Sequence, residues 1–216
     1  MARETFRADV KELEQELVSM SEMVITAMRR SIEALKSRNI EEANRIISDD
    51  LLINKKRWGI EEKCINLIAT QQPVATDLRQ LISLLNIATD LERMGDHAEG
   101  IAKIVLMLGD EPLLKPLIDI PRMAEKAISM IKSGLSAYVK RDAKIAMEIC
   151  KDDDEVDMLY EQVYRELLSF MIENPRTIAR ATYLMWVAHN LERIADRATN
   201  ICERTVFLVT GVMEEI

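Results

Sequence analysis

DLERMGDHAEGI (90–101) is written a second time as NLERIADRATNI (190–201), displaced by 100 residues without a gap. Leu, Glu, Arg, Asp, Ala and Ile recur in register, so the chain reads as one unit doubled. Each copy carries Glu-x-x-x-Asp, as Glu92/Asp96 and Glu192/Asp196. A spacing of four places both carboxylates on one helix face, one turn apart. Like charges placed so repel, unless a cation stands between them.

The doubling extends outward from this run. ALKSRNIEEA (34–43) and AYVKRDAKIA (137–146) hold equivalent places at an offset of 103, and Pro73 and Pro175 at an offset of 102. Apolar residues recur by threes and fours along Leu13, Leu17, Met20, Val24, Ala27, Ser31 and Leu35. The same holds for Leu184, Ala188, Leu191, Ala195, Ala198, Cys202, Thr205 and Val209. Such seams mark the helices of a bundle. Gly (6), Pro (5) and aromatics (4%) are scarce, which disfavours strands. The pattern predicts helices at 5–36, 40–69, 76–108, 121–139, 142–172 and 176–210. Short connections between them make antiparallel neighbours. The fold expected is all-α: two tandem, pseudo-symmetric three-helix bundles, spectrin-like in their up-down-up order. Their extents are 1–110 and 121–216, with the proline-rich stretch 111–120 as linker.

With 48% apolar and 31% charged residues the composition is that of a globular protein. The net charge of −8 argues against nucleic acid as partner. No apolar run is long enough to span a bilayer, which takes about 18 residues or more, and MARETFRADV lacks the apolar heart of a signal peptide. Cys64, Cys150 and Cys202 are odd in number and never spaced as Cys-x-x-Cys. Reduced core cysteines of a cytoplasmic protein are the reading.

The middle helix of each half brings a second acidic pair. Asp153 and Asp157 lie four apart in CKDDDEVD, and the offset of 103 maps them onto Asp50 and Asn54. Folding each hairpin at its proline tests whether the pairs meet. Asn54 and Glu92 are each 19 residues from Pro73, and Asp50 and Asp96 each 23. Asp157 and Glu192 are 18 and 17 from Pro175, and Asp153 and Asp196 are 22 and 21. At ~1.5 Å per residue the pairs stand level. Acids gathered at one height are expensive unless neutralised. The candidate metal ligands are therefore Asp50, Asn54, Glu92, Asp96, Asp153, Asp157, Glu192 and Asp196, an oxygen-rich set suited to Mg, Mn, Ca or iron. His189 and His97 do not repeat and read as locally hydrogen-bonded. A lone Glu-x-x-x-Asp is common on solvated helix faces, and Arg93 and Arg193 offer neutralisation without metal; repetition and the matched heights argue for the metal.

QQPVATDLRQL (71–81), DLERMGDHAEGIA (90–102), NPRTIARATYLMWVAHNLERIADRATNI (174–201) and the DDDEVD run together resemble the PhoU family of phosphate-transport regulators, over nearly the whole chain. The resemblance implies a homodimeric, non-enzymatic cytoplasmic protein. It implies partners: the Pst phosphate ABC transporter, through its ATPase subunit, and a sensor histidine kinase. It implies negative regulation of phosphate uptake and of phosphate-starvation signalling. It also implies multinuclear metal clusters of iron or zinc, or of Mg or Mn, on the acids named above. Asn54 departs from the acidic pattern, so the first-half site is expected to be weaker. Two rivals differ in kind. A ferritin-like di-metal enzyme would use Glu-x-x-His on paired helices, and the LER runs lack it. A metal-free scaffold would pair its acids with Arg93 and Arg193.

Overall fold

A computed structural model describes residues 2–213. Residue 1 and residues 214–216, the outer ends of the two expected halves, lie outside it. Helices α1 (Ala2–Ser37), α2 (Ile40–Gln71) and α3 (Thr76–Leu108) pack on one another, and so do α4 (Asp119–Lys140), α5 (Ala143–Cys150), α6 (Asp153–Glu173) and α7 (Ile178–Thr210). No strand occurs among the described residues. None of their helices is long and apolar enough to cross a membrane.

The turns are written twice as well. Arg38 and Arg141 both adopt the left-handed conformation, at φ 54° and 57°. Each is followed by a side chain that caps the next helix. Asn39 accepts from the Glu42 amide, and Asp142 from those of Lys144 and Ile145. These bonds satisfy donors that a helix start leaves open. The burial pattern confirms the offsets in three dimensions. At 103, Ile46, Ile53, Ile60 and Cys64 in α2 map onto Ile149, Val156, Val163 and Leu167, all buried. At 100, Leu84, Ala88, Leu91 and Ala98 in α3 map onto Leu184, Ala188, Leu191 and Ala198, also buried. Val209, expected at the end of the α7 seam, is exposed, in the last turn of a helix that stops at Thr210.

One expected helix is two. The run 142–172 breaks at Lys151–Asp152, between α5 and α6. Asp153, Asp154 and Glu155 occupy the first turn of α6, where helix dipoles favour acids. Lys126 of α4 holds Asp152 Oδ1 at 2.9 Å and Glu155 Oε2 at 2.8 Å. An acidic run that is stable as a helix start, and is pinned as one, ends the helix before it. The C-terminal hairpin turn also carries a 3₁₀ turn, Pro175–Thr177, ahead of α7.

The halves meet where α3 packs against α7. The contacts across this seam obey the same doubling. Asp90 of α3 accepts from Arg197 at 3.2 Å and from Asn200 at 3.1 Å. Its counterpart, Asn190 of α7, faces the counterparts of those two residues. His97 Nδ1 lies 2.9 Å from Asn190 Oδ1, and a Cβ on Gly100 would stand 3.0 Å from that oxygen. One half of the seam carries a charged pair and the other a neutral one. Both histidine expectations rested on local bonding. His97 is hydrogen-bonded, but across the seam rather than locally, while His189 Nδ1 lies 3.4 Å from Glu192 Oε2.

Candidate metal centre

Sequence spacing brings the acids level, and helix packing turns them toward one another. In the first half, α2 and α3 set Asp50 beside Asp96, Glu92 and Glu99, close enough for their charges to oppose its ionisation. Burial and that repulsion push the Asp50 carboxyl up to about 6. Gly95 makes room: a Cβ there would meet Ile53 Cδ1 at 3.1 Å and Asp50 Oδ1 at 3.3 Å. A cavity of about 350 Å³ opens from Asp50 toward α1, walled in part by Glu22, Arg30 and Asp49. The share of α1 in this wall has no signal in the paired motifs and was missed by sequence reasoning.

In the second half, α6 and α7 set Asp153 beside Asp157, Asp196 and Glu192. Burial, then repulsion, pushes Asp153 up to about 6, and both Asp157 and Glu192 stand above the usual carboxylate range for the same two causes. All eight expected residues thus fall at the two hairpins, four to each.

The two clusters differ in how their charge is met. Asn54 Nδ2 donates to Asp50 at 2.8 Å. Arg57, which sequence reasoning overlooked, reaches within 3.9 Å of Glu92 while donating to Glu61 at 2.7 Å. Arg93 donates to Asp96 at 3.0 Å and lies 3.5 Å from Glu92. The first cluster therefore has an amide and two guanidinium groups of its own. In the second, Arg193 pairs with Asp196 as its repeat mate does. The offset of 103, however, puts Asp157 where Asn54 stands and Tyr160 where Arg57 stands. Asp153 Oδ1 and Glu192 Oε2 are left buried without a hydrogen-bond partner. A buried, unsatisfied carboxylate oxygen costs about 1–3 kcal/mol or more.

Those two oxygens are the test of fit. The donors are hard oxygens, at the start of one helix and on the facing helix, and neither accepts a hydrogen bond, His189 Nδ1 standing 3.4 Å from Glu192 Oε2 without donating to it. That is the environment a cation-binding group presents. Among the described residues, no three acidic, His or Cys side chains converge tightly enough to chelate an ion as they stand. The second cluster fits a metal by its donor chemistry and its missing charge. The first fits less well, being largely neutralised from within.

This predicts a pH dependence. Asp50 and Asp153 have an ordinary value of 3.8 and stand near 6 when folded. A raised carboxyl binds its proton more tightly in the folded chain, so its stabilising proton is present below about 4 and lost as pH rises through 6. Metal stripped, the protein should be more stable at pH 5 than at pH 7. Both groups are only partly buried, so their shifts are discounted to roughly 1 kcal/mol each. For a chain of this size that is about 4–8 °C in Tm. Thermal unfolding in chelator at both pH values checks it, and Asp50→Asn with Asp153→Asn should flatten the slope. Equal melting at both pH values in the unsubstituted chain would refute the crowding of these acids.

The family model for the PhoU domain matches residues 17–105 and again 120–205. A Clostridium acetobutylicum protein named phosphate-specific transport system accessory protein PhoU homolog is 43% identical over 212 residues, covering 98% of this chain and 97% of the relative. An Aquifex aeolicus relative of the same name is 38% identical, covering 94% and 92%. The crystal structure of the phosphate transport system regulatory protein PhoU from Streptococcus pneumoniae superposes with a TM-score of 0.91 at 34% identity. It covers 98% of this chain and 100% of that one.

Proposed function

The chain belongs to the PhoU family, and on that premise we propose that it is a metal-carrying regulator of phosphate uptake, working as a homodimer at the cytoplasmic face of a Pst-type transporter. The relatives are named accessory and regulatory proteins of phosphate transport, and that supports a role beside the same machinery. The observation that carries the metal is the pair of orphaned oxygens, Asp153 Oδ1 and Glu192 Oε2. Asp153, Asp157, Glu192 and Asp196 would hold the stronger centre, and Asp50, Asn54, Glu92 and Asp96 the weaker. Iron, manganese, magnesium and calcium are ions such a donor set admits, and zinc is the further ion that the family resemblance implies.

When bound, the metal supplies positive charge at a helical surface that is otherwise acidic. The chain does the rest. Its carboxylates fix α6 against α7, and Lys126 holds the start of α6 in place. Tyr160 borders the site, where burial and the nearby Glu192 charge hold its hydroxyl above the ordinary value, and stands beside His189 with ring centres 6.3 Å apart. A surface carrying fixed cationic charge amid apolar side chains suits docking of an acidic partner segment or of phosphate. The role is negative: the docked protein lowers uptake and quiets starvation signalling through a histidine kinase when phosphate is plentiful.

The test is in cells. Deleting the gene should raise phosphate uptake and starvation signalling under high phosphate. The unsubstituted chain should restore repression, and Glu192→Ala with Asp196→Ala should fail to, although it accumulates to the same level. Tagged chain should recover the transporter ATPase subunit from phosphate-replete cells. Full repression by the doubly substituted chain would refute the role of the metal centre. Unchanged uptake on deletion would refute the regulator.

A further inference from the structure

We propose that the cavity among α1, α2 and α3 is a binding site for a small aliphatic diamine, whose ammonium groups answer acids that the chain leaves without a cation.

The two halves differ at this place, and the difference identifies the occupant. The offset of 103 holds for the first helix of each half as it does for the second. Met20, Val24, Met28 and Ile32 of α1 map onto Met123, Ala127, Ile131 and Leu135 of α4, all buried. The same offset puts Lys126 where Met23 stands and Met130 where Ala27 stands. In the second half both side chains fill the bundle. Met130 is fully buried, and Lys126 reaches Asp152 and Glu155 with its ammonium. In the first half Met23 is uncharged, and Ala27 is shorter than a methionine by three heavy atoms.

The cavity of about 350 Å³ lies where those atoms are missing. Met23, Ala27, Asp49 and Leu52 are in its wall, and their repeat mates are Lys126, Met130, Asp152 and Glu155. The second half therefore shows what this place accepts: an ammonium on an alkyl stem, laid beside acids. The first half keeps the space and has no such group of its own.

The lining suits a free ligand of the same chemistry. Met23, Ile46, Leu52 and Ile53 supply aliphatic wall. Four acids, Glu22, Asp49, Asp50 and Glu99, stand against one base, Arg30. Arg30 is engaged by Glu42 at 2.6 Å and Asp49 at 2.7 Å. Lys103 holds Glu99 at 2.5 Å. Asp50 accepts only the Asn54 amide, and among the described residues no cation pairs with Glu22. Two acids thus remain unanswered beside an apolar wall. An anion would be repelled, and a bare metal ion would gain nothing from the aliphatic side chains. A dication with a short methylene chain meets both features. The volume stands at the small end of the range for ligand pockets, about 300–1,000 Å³, which is the scale of a short diamine. Asp50 is shared with the weaker metal centre, so metal and diamine exclude each other there. Glu22, Met23 and Ala27 belong to the cavity alone.

Calorimetric titration of the full chain in chelator with 1,4-diaminobutane, read alongside the melting temperature, is the experiment. Its outcome is independent of whether the centres carry metal. One diamine should bind per chain at about 1 mM or tighter, which six non-hydrogen atoms can supply. Butylamine, with one ammonium, should bind at least about tenfold more weakly, the scale of one charged hydrogen bond. Glu22→Gln should cost the diamine a similar factor. Ala27→Met, which fills the space as Met130 fills its counterpart, should abolish binding. Met23→Lys should abolish it as well, and should melt higher than the unsubstituted chain without diamine, because it supplies the ammonium itself. Undiminished binding by an Ala27→Met chain of unchanged helicity would overturn the cavity as the site. Equal affinity for butylamine would overturn the pairing of two charges. Several diamines held weakly per chain, indifferent to Glu22→Gln and Met23→Lys, would show only the general attraction of a chain of net charge −8 and would overturn the proposal. Neither heat nor a shift in melting up to about 10 mM, weaker than such a ligand can reach, would do the same.

Discussion

Asp153→Asn should strip the second-half centre of metal and stabilise the metal-free chain in the same step. Asp153 begins α6 with one oxygen buried and unpartnered, among Asp157, Asp196 and Glu192. Removing its charge relieves first the burial of that charge and then the crowding by neighbouring acids that together hold it near 6. With the discount for its exposure, the gain is about 1 kcal/mol at pH 7, or about 2–4 °C. The cost falls on the metal. Loss of an outer hydrogen-bond partner alone commonly lowers metal affinity 10–100-fold, so loss of a charged ligand should exceed about 100-fold. Metal per chain after native purification, and the melting temperature in chelator, give the two readings. The first half offers the converse. Asn54→Asp would remove the amide that donates to Asp50 at 2.8 Å and add a further acid, lowering stability without metal and raising affinity for it. Full metal content in Asp153→Asn, with unaltered melting in chelator, would sink the assignment of Asp153 as a ligand.

This opposition between stability and binding explains what could be read in advance. Repetition is one-dimensional, so the doubled hairpin, the helix order and the level heights of the acidic pairs follow from counting residues. The charge that answers those acids does not. Arg57 and Tyr160 sit at equivalent places three residues beyond Asn54 and Asp157, yet nothing in their spacing says that Arg57 turns toward Glu92. That depends on how α2 is rotated against α3, which the buried Ile53 and Ile60 decide. The break at Lys151–Asp152 was equally hidden, because the apolar period runs through it. Its cause is the cross-helix grip of Lys126, a contact that closes only once α4 is packed. The seam between α3 and α7 is a third case. Its residues repeat openly in DLERMGDHAEGI and NLERIADRATNI, but that Asp90 crosses to Arg197 requires the two halves to be docked.

That seam carries the other large effect. Asp90→Ala should destabilise the chain by about 3 kcal/mol, the lower end of the range for breaking a buried ion pair by removing one partner. The lower end applies because the side chains are still 14% and 25% exposed. In Tm this is about 6–12 °C for a chain of this length. The loss comes less from the bond than from what remains: Arg197 left charged at the seam, and Asn200 left without its acceptor. Burial holds the Asp90 carboxyl above its ordinary value despite both donors, so desolvation outweighs the attraction. Replacing both members, as Asp90→Leu with Arg197→Leu, should therefore recover most of the stability that Asp90→Ala loses. The repeat supplies an internal control. Asn190, at the equivalent place, faces His97 in a neutral contact at 2.9 Å, and Asn190→Ala should cost only about 1 kcal/mol. Denaturant unfolding of the four chains decides between two accounts of the seam. If Asp90→Ala and Asn190→Ala lose equal stability, ordinary hydrogen bonds hold the halves together and the charge is incidental. If Asp90→Ala loses several-fold more and the double leucine recovers it, the charged pair sets which residues face one another across the seam and adds little to how tightly they hold.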